Sequence, residues 1–139
     1  MEQQAFIVDK MYSNRDYKKL GDRIRCDSTN ISEEDYEMLQ QLRLSYKQPL
    51  STIFNCIETL SHSVDPNCVC TYRIKRIESI ISKLIRFPEM QVNRAEDIAG
   101  CRCILSTEAG VYNLYKKIKK NIYNLPNILY YAHFYISLF

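Results

Sequence analysis

Three glycines and four prolines in 139 residues are too few for a disordered or low-complexity chain. No internal repeat is present. The N-terminus lacks an apolar export signal, because the only apolar run in its first ten residues is Ala5 to Val8. A net charge of +3 is too small to indicate a nucleic-acid partner by itself. What remains is ordinary for a soluble globular protein: 46% hydrophobic and 25% charged residues, enough for one domain with a real core.

Six cysteines without an export signal are expected as reduced thiols in a cytoplasm. Cys68-Val-Cys70 and Cys101-Arg-Cys103, with His62 nearby, have a one-residue spacing rather than the two to four usual for zinc. Cys101 and Cys103 would share one strand face as small core residues. His62 reads as a surface or satisfied histidine.

Residues 1–30 read as a leader. Tyr12 to Arg25 is basic and polar, with Gly21 and Asp27 to Asn30 as loop residues, so the segment either docks late as a short helix or stays partly disordered. The first firm helix begins at Ser32, whose hydroxyl can cap it, with Asp35 completing a partial capping box. Tyr36, Leu39, Leu42 and Tyr46 are spaced to bury one face, and Pro49 is expected to end or kink the helix near Gln48. A second helix follows, with Leu50, Ile53, Phe54, Ile57 and Leu60 inward. Asp65-Pro66-Asn67 makes a turn.

The stretch from Tyr72 to Leu105 carries the pattern that implies chemistry. Read as a helix from Tyr72 to Arg86, it places Ile74, Ile77, Ile81, Leu84 and Ile85 on one face, with Ile80 at the margin. Lys75, Arg76, Ser79, Lys83 and Arg86 gather opposite, and Arg73 stands at the helix start. Gln91 to Glu96 is a loop. Asp97 then precedes a strand, Ala99 to Leu105, of small and apolar residues. A carboxylate beside a cationic face suits a nucleoside triphosphate: lysine and arginine neutralise phosphate oxygens, and the carboxylate offers Mg²⁺ a hard oxygen ligand. Ser106-Thr107 caps a last helix, with Val111, Leu114, Tyr115 and Ile118 apolar. Its four lysines, Lys116, Lys117, Lys119 and Lys120, suit the negative helix end better than an RNA contact.

Those residues carry a resemblance. Arg73-Ile-Lys75, Ser79 and Lys83, followed by Asp97-Ile-Ala-Gly-Cys-Arg102, resemble the donor-nucleotide half of a RelA/SpoT-type (p)ppGpp synthetase domain, matching at all six positions in identity and spacing. The likeness spans residues 31–121, loosely at first and sharply over Tyr72 to Leu105. It implies an α+β fold, with N-terminal helices packed on a partial mixed β-sheet in a nucleotidyltransferase-like synthetase core. Local patterns alone give mostly helix and one clear strand. The resemblance further implies that Arg73, Lys75 and Lys83 bind the phosphates of ATP and that Ser79 hydrogen-bonds it. Arg102 would support the phosphates or the site geometry, and Asp97 would hold Mg²⁺. The reaction implied is pyrophosphate transfer from ATP to the 3′-hydroxyl of GDP or GTP, the chemistry of guanosine tetraphosphate metabolism in the stringent response.

The likeness ends near Asn121. The family continues into a glycine-containing loop, whose tyrosine stacks on guanine, and a strand with the catalytic glutamate. This chain has no Gly-Tyr loop, no glutamate after Glu108 and no Lys, Arg, Asp or Glu after Lys120, so it offers no catalytic residue for transfer. Residues 122–139 read as an aromatic, apolar tail that favours self-association. The tail is too short, and too interrupted by Asn124, Pro126, Asn127 and His133, to span a membrane. The plainest expectation is a truncated or frame-shifted synthetase, incomplete at its C-terminus and inactive alone. Two alternatives stay open: a synthetase-like toxin using another acceptor such as an RNA 3′ end, and a non-catalytic nucleotide- or partner-binding remnant.

Overall fold

In a computed structural model, residues 11–95, 97–122 and 132–138 are described, Ile122 and the last stretch by main chain alone. Among the described residues, five α-helices and three strands follow in the order α1 (Asn14–Cys26), α2 (Glu33–Ser45), α3 (Lys47–Val64), β1 (Val69–Ile74), α4 (Ile77–Arg86), β2 (Ala99–Leu105), α5 (Glu108–Ile122) and β3 (Ala132–Leu138), with a 3-10 turn at Val92–Arg94. The fold is α+β, as expected, with three helices preceding the sheet.

The helix starts follow local chemistry. Ser13 and Asp16 form a reciprocal capping box at α1, the serine hydroxyl accepting from Asp16 N at 3.2 Å and the carboxylate accepting from Ser13 N at 3.0 Å. Ser32 caps α2 as expected, its hydroxyl accepting from Asp35 N at 3.1 Å. Asp35 does not complete a second box. Its nearly buried carboxylate is taken by Arg23 of α1, at 2.6 Å from Nη2 and 3.0 Å from Nε. Thr107 caps α5 through Gly110 N at 3.0 Å.

The segment read as a leader contributes to the core, Tyr12 packing against it and α1 supplying its buried residues. Tyr17, Leu20 and Ile24 of α1 are fully buried, and each buried aliphatic is worth about 1.5–3 kcal/mol relative to exposure. Gly21 allows α1 to approach the 3-10 turn, since a Cβ there would lie 3.2 Å from Val92 Cγ2. Arg25 fastens the other side, its Nε donating to Leu84 O at 3.0 Å and its Nη2 to Met90 O. Of the two states open for this region, residues 14–26 adopt the docked helix; residues 1–10 lie outside the described residues.

Three further expectations are corrected. The break between the second and third helices falls at Tyr46, and Pro49 sits in the first turn of α3, where the missing amide has no intrahelical partner to lose. Tyr36, Tyr115 and Ile85 lie on exposed faces, although their spacing placed them in the core. In α2, Met38 is buried in place of Tyr36, and in α4 the buried residues are Ile80, Ile81 and Leu84. Finally, Tyr72 to Arg86 is not one helix. Residues through Ile74 are the strand β1, and α4 starts at Ile77 with Arg76 extended before it. The isoleucine spacing fits a helix locally, but pairing with β2 supplies the main-chain hydrogen bonds that decide the conformation.

The sheet has the order β1-β2-β3. β1 runs antiparallel to β2, in register from Val69↔Ile104 to Ile74↔Ala99. β3 runs parallel to β2, from Ala99↔Ala132 to Leu105↔Leu138, with α5 as the crossover a parallel pair requires. Part of the expected C-terminal tail is thus a strand by its main chain; residues 123–131 lie outside the described residues. α3 and α5 pack against each other and against the sheet. Alternate residues of β2, namely Ala99, Cys101, Cys103 and Leu105, are buried, while Arg102 is exposed. Asp65 closes the end of α3 onto the end of β2, accepting from Ser106 N and Oγ at 2.8 Å each. Among the described residues no helix is long and apolar enough to cross a membrane.

Candidate functional site

The site forms where β1 gives way to α4 and where the chain enters β2. Lys75 is the corner residue, and its main chain is held twice. Its N–H donates to Ile98 O at 2.6 Å, continuing the β1–β2 ladder, and its carbonyl accepts from Arg43 Nε of α2 at 2.8 Å. Arg43 is held in turn by Gln40 Oε1 at 2.6 Å. Nothing in the sequence pointed to Arg43, which acts from 32 positions away through a side chain to a carbonyl.

Asp97 faces this corner in a left-handed backbone conformation, φ 73°. Aspartate tolerates that region better than most residues, and a conformation of this kind persists only where its surroundings hold it. Here the holding groups are cations. Lys75 Nζ lies 2.6 Å from Asp97 Oδ2, and Arg73 Nη2 lies 3.3 Å from Oδ1. The Lys75 and Asp97 side chains are only 16% and 18% exposed, whereas Arg73 is 66% exposed. Burial pushes the Asp97 carboxyl up. The Lys75 hydrogen bond, the Lys75 charge and the charges of Arg73 and Lys83 together outweigh it and hold the group below the ordinary carboxylate value.

A cavity of about 450 Å³ opens beside this pair. Lys75 and Asp97 line one side, and Glu78, Ser79, Ser82, Lys83, Arg86 and Phe87 line the other along α4. Three cations against two carboxylates leave it net cationic. A second hollow of about 350 Å³ lies on the sheet, lined by Thr71, Tyr72, Arg73, Gly100, Cys101 and Arg102. The structure therefore brings Lys75, Ser79, Lys83 and Asp97 to one cavity and sets Arg102 in the neighbouring one. Arg73 lines the second hollow, not the first, but its guanidinium reaches Asp97 at the edge of the first. Arg76, expected on the cationic face, does not line either cavity.

The donor set bears on magnesium. Among the described residues no group of three His, Cys, Asp or Glu side chains is arranged to hold a metal ion. Magnesium does not require such a cage, since it is commonly held by one or two carboxylates together with substrate phosphates and water. Asp97 fits that role only for a metal arriving with phosphates, because both of its oxygens are engaged by cations that phosphate oxygens would have to draw away. No cysteine lines the Lys75–Asp97 cavity, and Cys101 lines the second hollow. Burial pushes the Cys101 thiol up to about 11 and, with the neighbouring Cys70, that of Cys68 up to about 11.

No protein-family model matches this chain, and no curated protein matches it.

Proposed function

We propose that the chain binds ATP by its phosphates, as the donor half of a pyrophosphotransferase domain of the RelA/SpoT type with a nucleotidyltransferase-like core, working in a cytoplasm on guanosine nucleotides. The observation that carries this reading is the meeting of Lys75 and Arg73 on the Asp97 carboxylate beside a cavity also lined by Lys83 and Ser79. Lysine and arginine form their strongest hydrogen bonds with charged oxygens, and a triphosphate offers several. Lys75 and Lys83 hold the phosphates, Ser79 donates a hydroxyl hydrogen bond, and Arg73 shifts from Asp97 to the nucleotide. Arg102 sits one hollow away and supports the site through the sheet. Asp97, released from its cations, is the residue that would hold Mg²⁺. When bound with the phosphates, that ion supplies neutralisation of the charge that grows on them as a phosphoryl bond breaks.

Transfer also needs a base at the acceptor hydroxyl and a positioned acceptor, and a general base alone contributes about 10²–10⁴-fold. The sequence after Glu108 supplies no carboxylate for that role. The expected outcome with ATP and GDP is donor binding with 3′-pyrophosphorylated product at trace level, and robust product overturns the donor-half reading.

A second reading, a purely structural ion pair in a non-catalytic module, is favoured by one fact: both Asp97 oxygens are already satisfied within the chain. ATP titration of wild type, Lys75→Ala and Asp97→Asn separates the two. Loss of a charge-assisted hydrogen bond costs about 1.5–3 kcal/mol, or roughly 10- to 150-fold in affinity. A weakening of that size in Lys75→Ala supports donor binding. Equal affinity in all three proteins, or no binding, leaves the structural module.

A further inference from the structure

At the end of the β1–β2 ladder remote from Asp97, three thiols crowd together. Cys70 and Cys103 are directly opposed partners in the antiparallel register, with their sulfurs 3.5 Å apart. Cys68 Sγ lies 3.9 Å from Cys70 Sγ. Opposed residues of antiparallel strands have Cα atoms about 4.5–5.5 Å apart, inside the roughly 4.4–6.8 Å that a disulfide spans. Closing the sulfurs from 3.5 Å to about 2.05 Å needs an approach of about 1.5 Å. The Cys68–Cys70 pairing is poorer: Cys68 lies just before β1, is not opposed to Cys70 in the ladder, and its sulfur is farther away, at 3.9 Å against 3.5 Å.

Access is unequal. Cys70 is partly exposed, while Cys103 is 1% exposed. Burial pushes the Cys103 thiol up to about 12, against a hydrogen bond from Ser61 Oγ at 3.3 Å that favours its thiolate. A small oxidant from solvent meets Cys70 first and leaves Cys103 as the second reactant.

We propose that Cys70 and Cys103 form a peroxide-reactive dithiol, with hydrogen peroxide as oxidant and a Cys70–Cys103 disulfide as product. In the first step the Cys70 sulfur attacks one peroxide oxygen, the O–O bond breaks, and the departing hydroxide takes the thiol proton as water. Cys70 is then a sulfenic acid, oxidised by two electrons. In the second step the Cys103 sulfur attacks the Cys70 sulfur, the S–S bond forms, the S–O bond breaks, and hydroxide leaves with the Cys103 proton as a second water. The product staples β1 to β2 across the loop that contains α4 and Asp97.

The test uses the full chain, reduced, freed of reductant, treated with a few equivalents of hydrogen peroxide, alkylated and digested with trypsin. Cleavage after Lys47, Arg73, Arg94, Arg102 and Lys116 places Cys70 in residues 48–73, Cys101 in 95–102 and Cys103 in 103–116. The expected product joins 48–73 to 103–116, with fragmentation assigning Cys70, and disappears on reduction. Alkylatable thiols fall from six to four. Cys70→Ser abolishes the link, whereas Cys56→Ser and Cys68→Ser keep it at wild-type yield. A link to 95–102, a bond within 48–73, attachment through Cys56 or Cys68, or oxidation of Cys70 with no link overturns the proposal. So does retention of all six thiols. The wild-type map decides without reliance on any variant's folding.

Discussion

Asp97→Asn is the substitution whose cost can be worked most closely from the geometry. Asparagine has nearly the same shape and, like aspartate, tolerates the left-handed conformation at φ 73°. The change therefore removes a charge and little else. Lys75 keeps its charge on a side chain that is 16% exposed and loses the carboxylate oxygen 2.6 Å away. A hydrogen bond to a charged group is worth about 1.5–3 kcal/mol, and the residual water at both side chains favours the low end of that range. Arg73, being mostly exposed, adds roughly 0–1 kcal/mol. The sum is about 2 kcal/mol, which for a domain of this size lowers Tm by roughly 5–10 °C. Asp97→Ala costs a further 1–2 kcal/mol or so, because alanine has a Cβ and no side-chain oxygen to support the left-handed region. Asp97→Gly recovers part of that difference. Urea unfolding followed by circular dichroism measures all three, and a cycle with Lys75→Met isolates the pair. A coupling energy of at least about 1 kcal/mol is expected. Asp97→Asn within 0.5 kcal/mol or so of wild type, or a coupling near zero, refutes the view that this ion pair is formed and partly desolvated.

Arg43→Leu removes the donor to the Lys75 carbonyl; it should cost about 1–2 kcal/mol in urea unfolding and weaken ATP binding severalfold by loosening the corner. The Asp97 carboxyl titrates below its ordinary 3.8, so its stabilisation is complete above that pH and is lost as pH falls through 3.8 towards the folded value. The stability gap between wild type and Asp97→Asn should accordingly be constant from pH 7 to 5 and shrink at pH 3, which urea midpoints at each pH will show. Ile80→Lys should prevent cooperative folding, whereas Ile85→Lys should shift stability by no more than about 0.5 kcal/mol, since Ile80 is 1% exposed and Ile85 is 45% exposed. Circular dichroism melts distinguish these from the reverse order that helical periodicity alone suggests.

What could be read in the sequence was set by neighbours along the chain. The Ser32 cap, the turn at Asp65-Pro66-Asn67 and the strand from Ala99 to Leu105 depend on residues within a few positions, and all three stand where they were expected. Tyr72 to Ile74 went the other way, because Ile74 continues the isoleucine spacing of the helix after it until β2 arrives as a partner 25 to 29 residues later. The third strand depends on a parallel partner reached across α5, which no local pattern encodes. Tyr36, Tyr115 and Ile85 show a related limit: periodicity marks a face, but the width of the buried stripe is set by what packs on it. At the site, the closeness of Asp97 to Lys75 could be anticipated from charge chemistry. That Lys75 comes from a strand-to-helix corner could not, nor could the use of Arg43 to hold it.

The most direct test of triphosphate binding at this corner is the affinity of wild type and Asp97→Asn for ATP, each measured with magnesium and with a chelator. If phosphates draw Lys75 and Arg73 away and leave Asp97 to the metal, magnesium tightens wild-type binding by about tenfold or more and has much less effect on Asp97→Asn. Lys75→Ala then binds more weakly in both conditions. An equal magnesium enhancement in wild type and Asp97→Asn, or a wild-type protein that binds no ATP, contradicts the account.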